Sequence, residues 1–249
     1  MMWAVFAGGC AGVGAAGGAL LWYACSVPSS QVFGPALVRG PREGHRVALT
    51  FDDGPALPFT VQILEILRAR GAPATFVVCG QNVERYPEIV CRIHAEGHTL
   101  GNHTYSHPFL YLQSRKKIAE EIDRTQDLIE KLTGYRPTLF RPPYGARWFG
   151  LYPVLRERGM RVVQWSDTGY DWESGAEAIV TATLQHLRPG SVILLHDGCN
   201  VRRSGGEADR SDTVKALPTI LDGALKDGFT FVSVQDFLLG LDRCPKLTH

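Results

Sequence analysis

The sequence lacks an excess of either charge: Lys and Arg number 26 against 25 Asp and Glu, a formal net charge of +1. A nucleic-acid binder normally carries a basic surplus, so no nucleic-acid partner is expected. The six cysteines form no C-x-x-C pair and no regular framework. That excludes a zinc ribbon and a small fold stapled by disulfides. With 20% charged and 45% hydrophobic residues, the chain is also unlike a disordered one. What remains is a chain of 249 residues, suited to one α/β domain or at most two small ones. A chain of this size hides roughly 70–75% of its unfolded surface.

Charge is also missing locally: residues 1–27 contain no charged side chain. The run is longer than the roughly 20 apolar residues that cross a bilayer. Trp3, Trp22 and Tyr23 sit near its ends, as an interfacial aromatic belt requires. Gly8, Gly12, Gly14 and Gly17 would suit a tightly packed membrane helix. The expectation is a single-pass membrane anchor with the globular part periplasmic or extracellular. The alternative is a signal peptide cut after Ser26, giving a secreted protein, although the basic n-region of such a signal is missing. Arg39, Arg42 and Arg46 follow the segment and by charge favour the opposite topology, a rule that weakens for large translocated domains. Residues 28–44, rich in Pro, Ser and Gly, read as a linker. Residues 45–240 read as the globular domain and 241–249 as a tail.

From residue 45 onwards, β-like runs alternate with helical periodicity. Strands are expected at 47–51, 75–79, 99–102, 139–141, 161–165, 191–195 and 230–233. Helices are expected at 59–69, 87–95, 115–132, 151–158, 176–186 and 213–226. Ile118, Ile122, Leu128, Ile129 and Leu132 show i, i+3/i+4 spacing. The alternation predicts a parallel sheet covered by helices, a distorted or incomplete (β/α) barrel of about seven strands, with an open doubly wound sheet as runner-up.

Polar clusters follow the ends of several predicted strands, where barrel enzymes build their sites. Asp52 and Asp53 follow the first, His103 to Pro108 the third and Arg141 to Gly145 the fourth. Asp167 to Trp172 follow the fifth and His196-Asp197 the sixth. His103 and His107 stand at i, i+4; on one helical turn both could share a metal, with a carboxylate from elsewhere as third ligand. Thr104 occupies the place of the Glu in a His-Glu-x-x-His site, so a base must come from another strand. His94 and His98 share that spacing, but Gly97 interrupts it, and they read as a surface residue and a strand-start residue. Adjacent Asp52 and Asp53 repel when both are ionised. They are either a solvated turn or a metal ligand beside a free base.

Thr50-Phe51-Asp52-Asp53-Gly54, His103-Thr104-Tyr105-Ser106-His107-Pro108, Arg141-Pro142-Pro143-Tyr144-Gly145, Asp171-Trp172 and Leu194-Leu195-His196-Asp197 occur in this order. Together they make residues 46–237 resemble the polysaccharide deacetylases, carbohydrate esterase family four. The resemblance implies metal-dependent removal of N- or O-acetyl groups from an acetylated glycan. It implies Asp53, His103 and His107 as ligands of one divalent ion, Zn²⁺ first, with Co²⁺, Mn²⁺ or Ni²⁺ as alternatives. Asp52 resembles the catalytic base, His196 the acid and Arg141 the residue that holds the base. The Tyr144 N–H resembles an oxyanion donor, and Asp171 a support for His196. Trp172 and Leu195 resemble walls of the acetyl pocket. Thr168 stands where many relatives carry Asp, which leaves the role of Asp167 open. Two other readings are a deformylase or deacetylase of a lipid-linked sugar and an inactive carbohydrate-binding relative. The polar loop 199–212 is placed to shape the groove. No protein partner is inferable.

Overall fold

The computed structural model describes residues 17–111, 113–199 and 209–243. Its strands are β1 (Ala36–Leu37), β2 (Arg46–Asp52), β3 (Thr75–Val78), β4 (Thr99–Asn102), β5 (Leu139–Phe140), β6 (Arg161–Val163), β7 (Asp167–Thr168), β8 (Val192–His196) and β9 (Thr230–Val232). They form one sheet in the order β1-β6-β5-β4-β3-β2-β8-β7, with β9 added beside β2, and every pairing between these strands is parallel. Helices surround it, giving the distorted (β/α) barrel the sequence predicts, with eight strands along the path. The helices are α1 (residues 17–26), α2 (Phe59–Ala69), α3 (Gly80–Arg85), α4 (Pro87–Ala95), α5 (Arg115–Thr133), α6 (Leu151–Glu157), α7 (Ala176–Gln185), α8 (Ser211–Lys226) and α9 (Val234–Arg243).

Alternation along the strands sorts the core. From β2, Val47, Leu49 and Phe51 join Ile63, Leu64 and Leu67 of α2 and Leu217, Ile220 and Leu221 of α8 in the helix-facing cluster. Ala48, on the other face, packs with Val163, Val192, Val234 and Phe237, so α9 closes the lower end of the barrel. Thr50 and Asp52 continue upward on that inner face. In β8 the same parity puts Val192, Leu194 and His196 inside. The register pairs Asp52 with His196 and with Val77, and Asn102 with Val78, so these strand ends are level.

Two expectations need correction. Residues 28–44 are not a free linker. Their β1 pairs with β6, the Gln164 N–H donates to Leu37 O at 2.7 Å, and Arg39 bridges Ser191 beside β8. This segment lies across the seam where β6 and β7 do not pair. The membrane span is also not borne out. No helix among the described residues is long and apolar enough to cross a membrane. Helix α1 ends at residue 26, and the chain then docks on the domain. The Arg147 N–H donates to Cys25 O at 2.9 Å, and the buried Arg147 guanidinium donates to the carbonyls of Val27, Pro28 and Ser30. Residues 1–16 and the tail from 244 lie outside the described residues.

Candidate active site

At the upper end of the barrel, Asp53 leaves β2 in left-handed backbone (φ 72°). Its Oδ1 lies 3.4 Å from His103 Nε2 and 3.2 Å from His107 Nε2. All three side chains are buried, and their donor atoms fall within 4.8 Å of one another. Tetrahedral zinc with bonds of about 2.0–2.2 Å separates its ligand atoms by roughly 3.3–3.6 Å, so this donor set fits one small divalent ion. The Nδ1 of His103 hydrogen-bonds Arg141 O at 2.7 Å, which turns Nε2 towards the cluster.

The histidines converge, but not on a helix. Residues 103–107 form a loop, with Thr104 (φ 68°) and His107 (φ 52°) left-handed. Its backbone is held from below. Asn102 Oδ1 accepts from Thr104 N–H at 2.9 Å, and Thr104 Oγ1 from His107 N–H at 3.1 Å. Glu121 of α5 accepts from the N–H groups of Tyr105 and Ser106 and from the Ser106 hydroxyl. Sequence reasoning missed Glu121. Its signal was a carboxylate three residues from Ile118, on the apolar stripe of an amphipathic helix.

Burial opposes ionisation of Asp53. The hydrogen bond to His103 and the charges of His107, His103 and His196 outweigh it and hold the carboxyl well below its usual range. Burial pushes His107 down to about 4, so its imidazole is neutral and fit to ligate near pH 7. For His103, burial is outweighed by Asp52, Asp53 and the Arg141 carbonyl, and its pKa is raised.

Asp52 faces the same space, with Oδ2 3.8 Å from His103 Nε2. Its Oδ1 accepts from Arg141 Nη1 at 2.5 Å. The fully buried Arg141 also donates to Thr50 Oγ1, Val163 O and Gln164 O, so its fork is fixed from β2 on one side and from the end of β6 on the other. Opposite, His196 Nδ1 lies 2.8 Å from Asp171 Oδ1, and the His196 N–H donates to Asp171 Oδ2 at 2.7 Å. Thr213 Oγ1 donates to the same carboxylate at 2.9 Å. Burial lowers the His196 pKa, but the charge and hydrogen bond of Asp171 prevail and raise it.

Tyr144 is left-handed (φ 59°), with its ring 4.6 Å from that of His107 and stacked on Phe109 at 3.9 Å. The half-exposed Trp172 stands edge-on to His196, 5.5 Å between centroids. The structure thus brings together Asp52, Asp53, His103, His107, Arg141, Tyr144, Asp171, Trp172 and His196. It does not bring Leu195, which is fully buried in the helix-facing cluster; Leu194 has the inward parity. Asp167 pairs with Arg39 at 3.4 Å instead of entering the cluster. His98 is buried and accepts from Ala74 N–H, while His94 is exposed and stacks on Tyr135. Residues 200–208 of the predicted groove loop lie outside the described residues.

The family model for polysaccharide deacetylase matches residues 39–163. The chain belongs to the polysaccharide deacetylase family. A peptidoglycan-N-acetylglucosamine deacetylase of Bacillus cereus is 40% identical over 196 residues, 78% of this chain and 69% of that protein. A chitooligosaccharide deacetylase of Azorhizobium caulinodans is 35% identical over 188 residues, 74% of this chain and 90% of that protein. The crystal structure of a peptidoglycan N-acetylglucosamine deacetylase superposes with a TM-score of 0.73 at 37% identity, covering 80% of this chain and 91% of the other. This polysaccharide deacetylase is a hydrolase of carbon–nitrogen bonds other than peptide bonds, in a family that uses a divalent metal.

Proposed function

We propose that this polysaccharide deacetylase removes N-acetyl groups from a glycan of N-acetylated sugars, with Asp52 as general base and His196 as general acid. The observation that carries the reading is the convergence of an Asp/His/His donor set, a second carboxylate and an Asp-supported histidine at level strand ends. Asp53, His103 and His107 would hold the ion, and two imidazoles with one carboxylate favour Zn²⁺. When bound, the ion supplies Lewis acidity, polarising a carbonyl and making water a stronger nucleophile near neutral pH.

Asp52, oriented by Arg141, accepts a proton from water as the water oxygen attacks the amide carbon. The Tyr144 N–H offers a hydrogen bond to the developing oxyanion; one such donor is worth about 3–4 kcal/mol of barrier. His196 gives its proton to the sugar nitrogen as the C–N bond breaks, because an amide anion is too poor a leaving group to depart alone. The products are acetate and a free amino sugar. In this reading Trp172, edge-on to His196, forms part of the wall of the acetyl pocket. The catalytic unit in this reading runs from β1 to α9.

Purified protein should release acetate and expose amines on N-acetylglucosamine oligomers or peptidoglycan, a chelator should abolish this, and added Zn²⁺ should restore it. Release of no acetate from either substrate by metal-loaded protein would refute the reading.

A further inference from the structure

The oxyanion donor of the proposed reaction sits on a turn that is costly to form. Tyr144 (φ 59°) and Gly145 (φ 65°) are left-handed in succession, and a tyrosine keeps that conformation only where its surroundings impose it. From one side the turn is held by rings, with Tyr144 packed against His107 and Phe109. The bonds from Gly145 N–H to Pro142 O at 2.9 Å and from Ala146 N–H to Pro143 O at 3.0 Å tie the turn only to itself. The hold from the other side comes from Gln164, at the end of β6, whose Nε2 donates to Gly145 O at 2.8 Å.

Gln164 is fully buried, and its backbone is tied as well. Its N–H donates to Leu37 O of β1 at 2.7 Å, and its carbonyl accepts from Arg141 Nη2 at 3.0 Å. One residue thus joins the strand laid across the seam, the arginine that holds the base and the turn that carries the oxyanion donor. A Cβ on Gly145 would come within 2.7 Å of Trp165 and 3.3 Å of Gln164 Oε1. The turn therefore rests on the indole and the carboxamide. These two block it from sinking, and the hydrogen bond to Gly145 O keeps it from lifting. The other end of the carboxamide, Oε1, is buried and accepts from no donor among the described residues. A buried oxygen left unsatisfied costs at least what one hydrogen bond returns, so for folding alone an apolar side chain of similar volume would serve as well. What the carboxamide adds is a fixed position for Gly145 O.

We propose that the Gln164 side chain is a positioning residue for the oxyanion donor: by holding Gly145 O it keeps the Tyr144 N–H aimed at the tetrahedral intermediate. This role rests on the glycan-deacetylase reading and adds a residue that acts through the turn and not on the substrate. The oxyanion exists only once water has attacked. Gln164 therefore strengthens binding of the transition state and leaves binding of the acetylated sugar unchanged.

The test compares the zinc-loaded full chain with its Gln164→Leu and Gln164→Met variants, which remove the donor together with the bare oxygen. The backbone bonds of residue 164 to Leu37 and Arg141 survive either change. Melting temperature, zinc content and KM for the N-acetylglucosamine tetramer should match the wild type. Turnover should fall about 10–10²-fold, part of the 10²–10³ that loss of a whole oxyanion donor costs. Both limbs of the pH profile should stay in place, because Asp52 and His196 are held by other partners. A glucosamine tetramer carrying a methylphosphonamidate in place of an acetamide imitates the intermediate, and its Kd should rise by the factor that kcat loses. Unchanged turnover, a loss matched by lost zinc or a raised KM, or failure of both variants to fold would overturn the role. Acetate release by the wild type is followed in parallel. No release, with phosphonamidate binding that depends on Gln164, removes the reaction and keeps the positioning role. Release with variants as active as the wild type does the reverse, and neither release nor binding removes both.

Discussion

Replacing Asp171 by Asn should move the pH dependence of turnover, because Asp171 keeps the proton on His196. The carboxylate lies 2.8 Å from His196 Nδ1 and is anchored by the His196 N–H and Thr213. A hydrogen bond to a charged group contributes about 1.5–3 kcal/mol. At about 1.36 kcal/mol per pK unit, its loss lowers the His196 pKa by one to two units. The sign follows from the two opposing causes. Burial disfavours the imidazolium, and the charge and hydrogen bond of Asp171, followed by the charges of Asp53 and Asp52, overcome it and raise the pKa; without the Asp171 charge the pKa falls. A general acid works protonated, so the rate declines as pH rises through this pKa. The alkaline limb of kcat/KM against pH should therefore shift one to two units towards acid in Asp171→Asn. Thr213→Val, which removes only a neutral partner, should shift it less. An alkaline limb that stays in place while turnover drops uniformly would refute the role given to Asp171.

Three further outcomes are expected. Arg147→Met deprives the carbonyls of Val27, Pro28 and Ser30 of their donors; it should cost about 2–4 kcal/mol in denaturant unfolding and open residues 24–33 to limited proteolysis. His98 is held neutral by burial, with its pKa below 6.5, so the unfolded chain takes up the proton first. Stability should be complete above pH 6.5 and decline as pH falls below it, and His98→Gln should flatten that slope in urea midpoints measured from pH 7.5 to 5.5. Gly198→Ala would set a Cβ 2.7 Å from the Asp53 carbonyl oxygen, a backbone atom that cannot swing aside. It should lose about 1–3 kcal/mol of stability and bind zinc more weakly by calorimetry.

Much of this arrangement was legible in the chain. The long buried strands and amphipathic helices lie within a few residues of their expected positions, because continuous apolar runs and 3.6-residue periodicity reflect burial directly. β1 and β7 were not legible. Each has two residues, too few for any period, and each exists only because the seam accepts it. The uncharged start suggested a bilayer span, yet tertiary contacts through Arg147 decide where residues 25–30 lie. The histidine pair was found by its spacing but given the wrong backbone. Left-handed turns at Thr104 and His107 depend on the adjacent strand-end Asn102, which no helical spacing points to, and on Glu121, hidden on a helix face. Leu195 was misplaced by one position of strand parity, which motif resemblance does not resolve.

The division of labour between the adjacent carboxylates is the central claim. Asp53 touches both histidines, whereas Asp52 is held by Arg141. The direct measurement is metal content and turnover on the same preparations of wild type, Asp52→Asn and Asp53→Asn. Asp52→Asn should retain about one zinc per chain and lose about 10²–10⁴-fold in turnover. Asp53→Asn should emerge depleted of zinc and regain part of its activity at high metal concentration. Loss of zinc from Asp52→Asn with retention in Asp53→Asn would exchange the two roles, and full metal and activity in both would contradict the account.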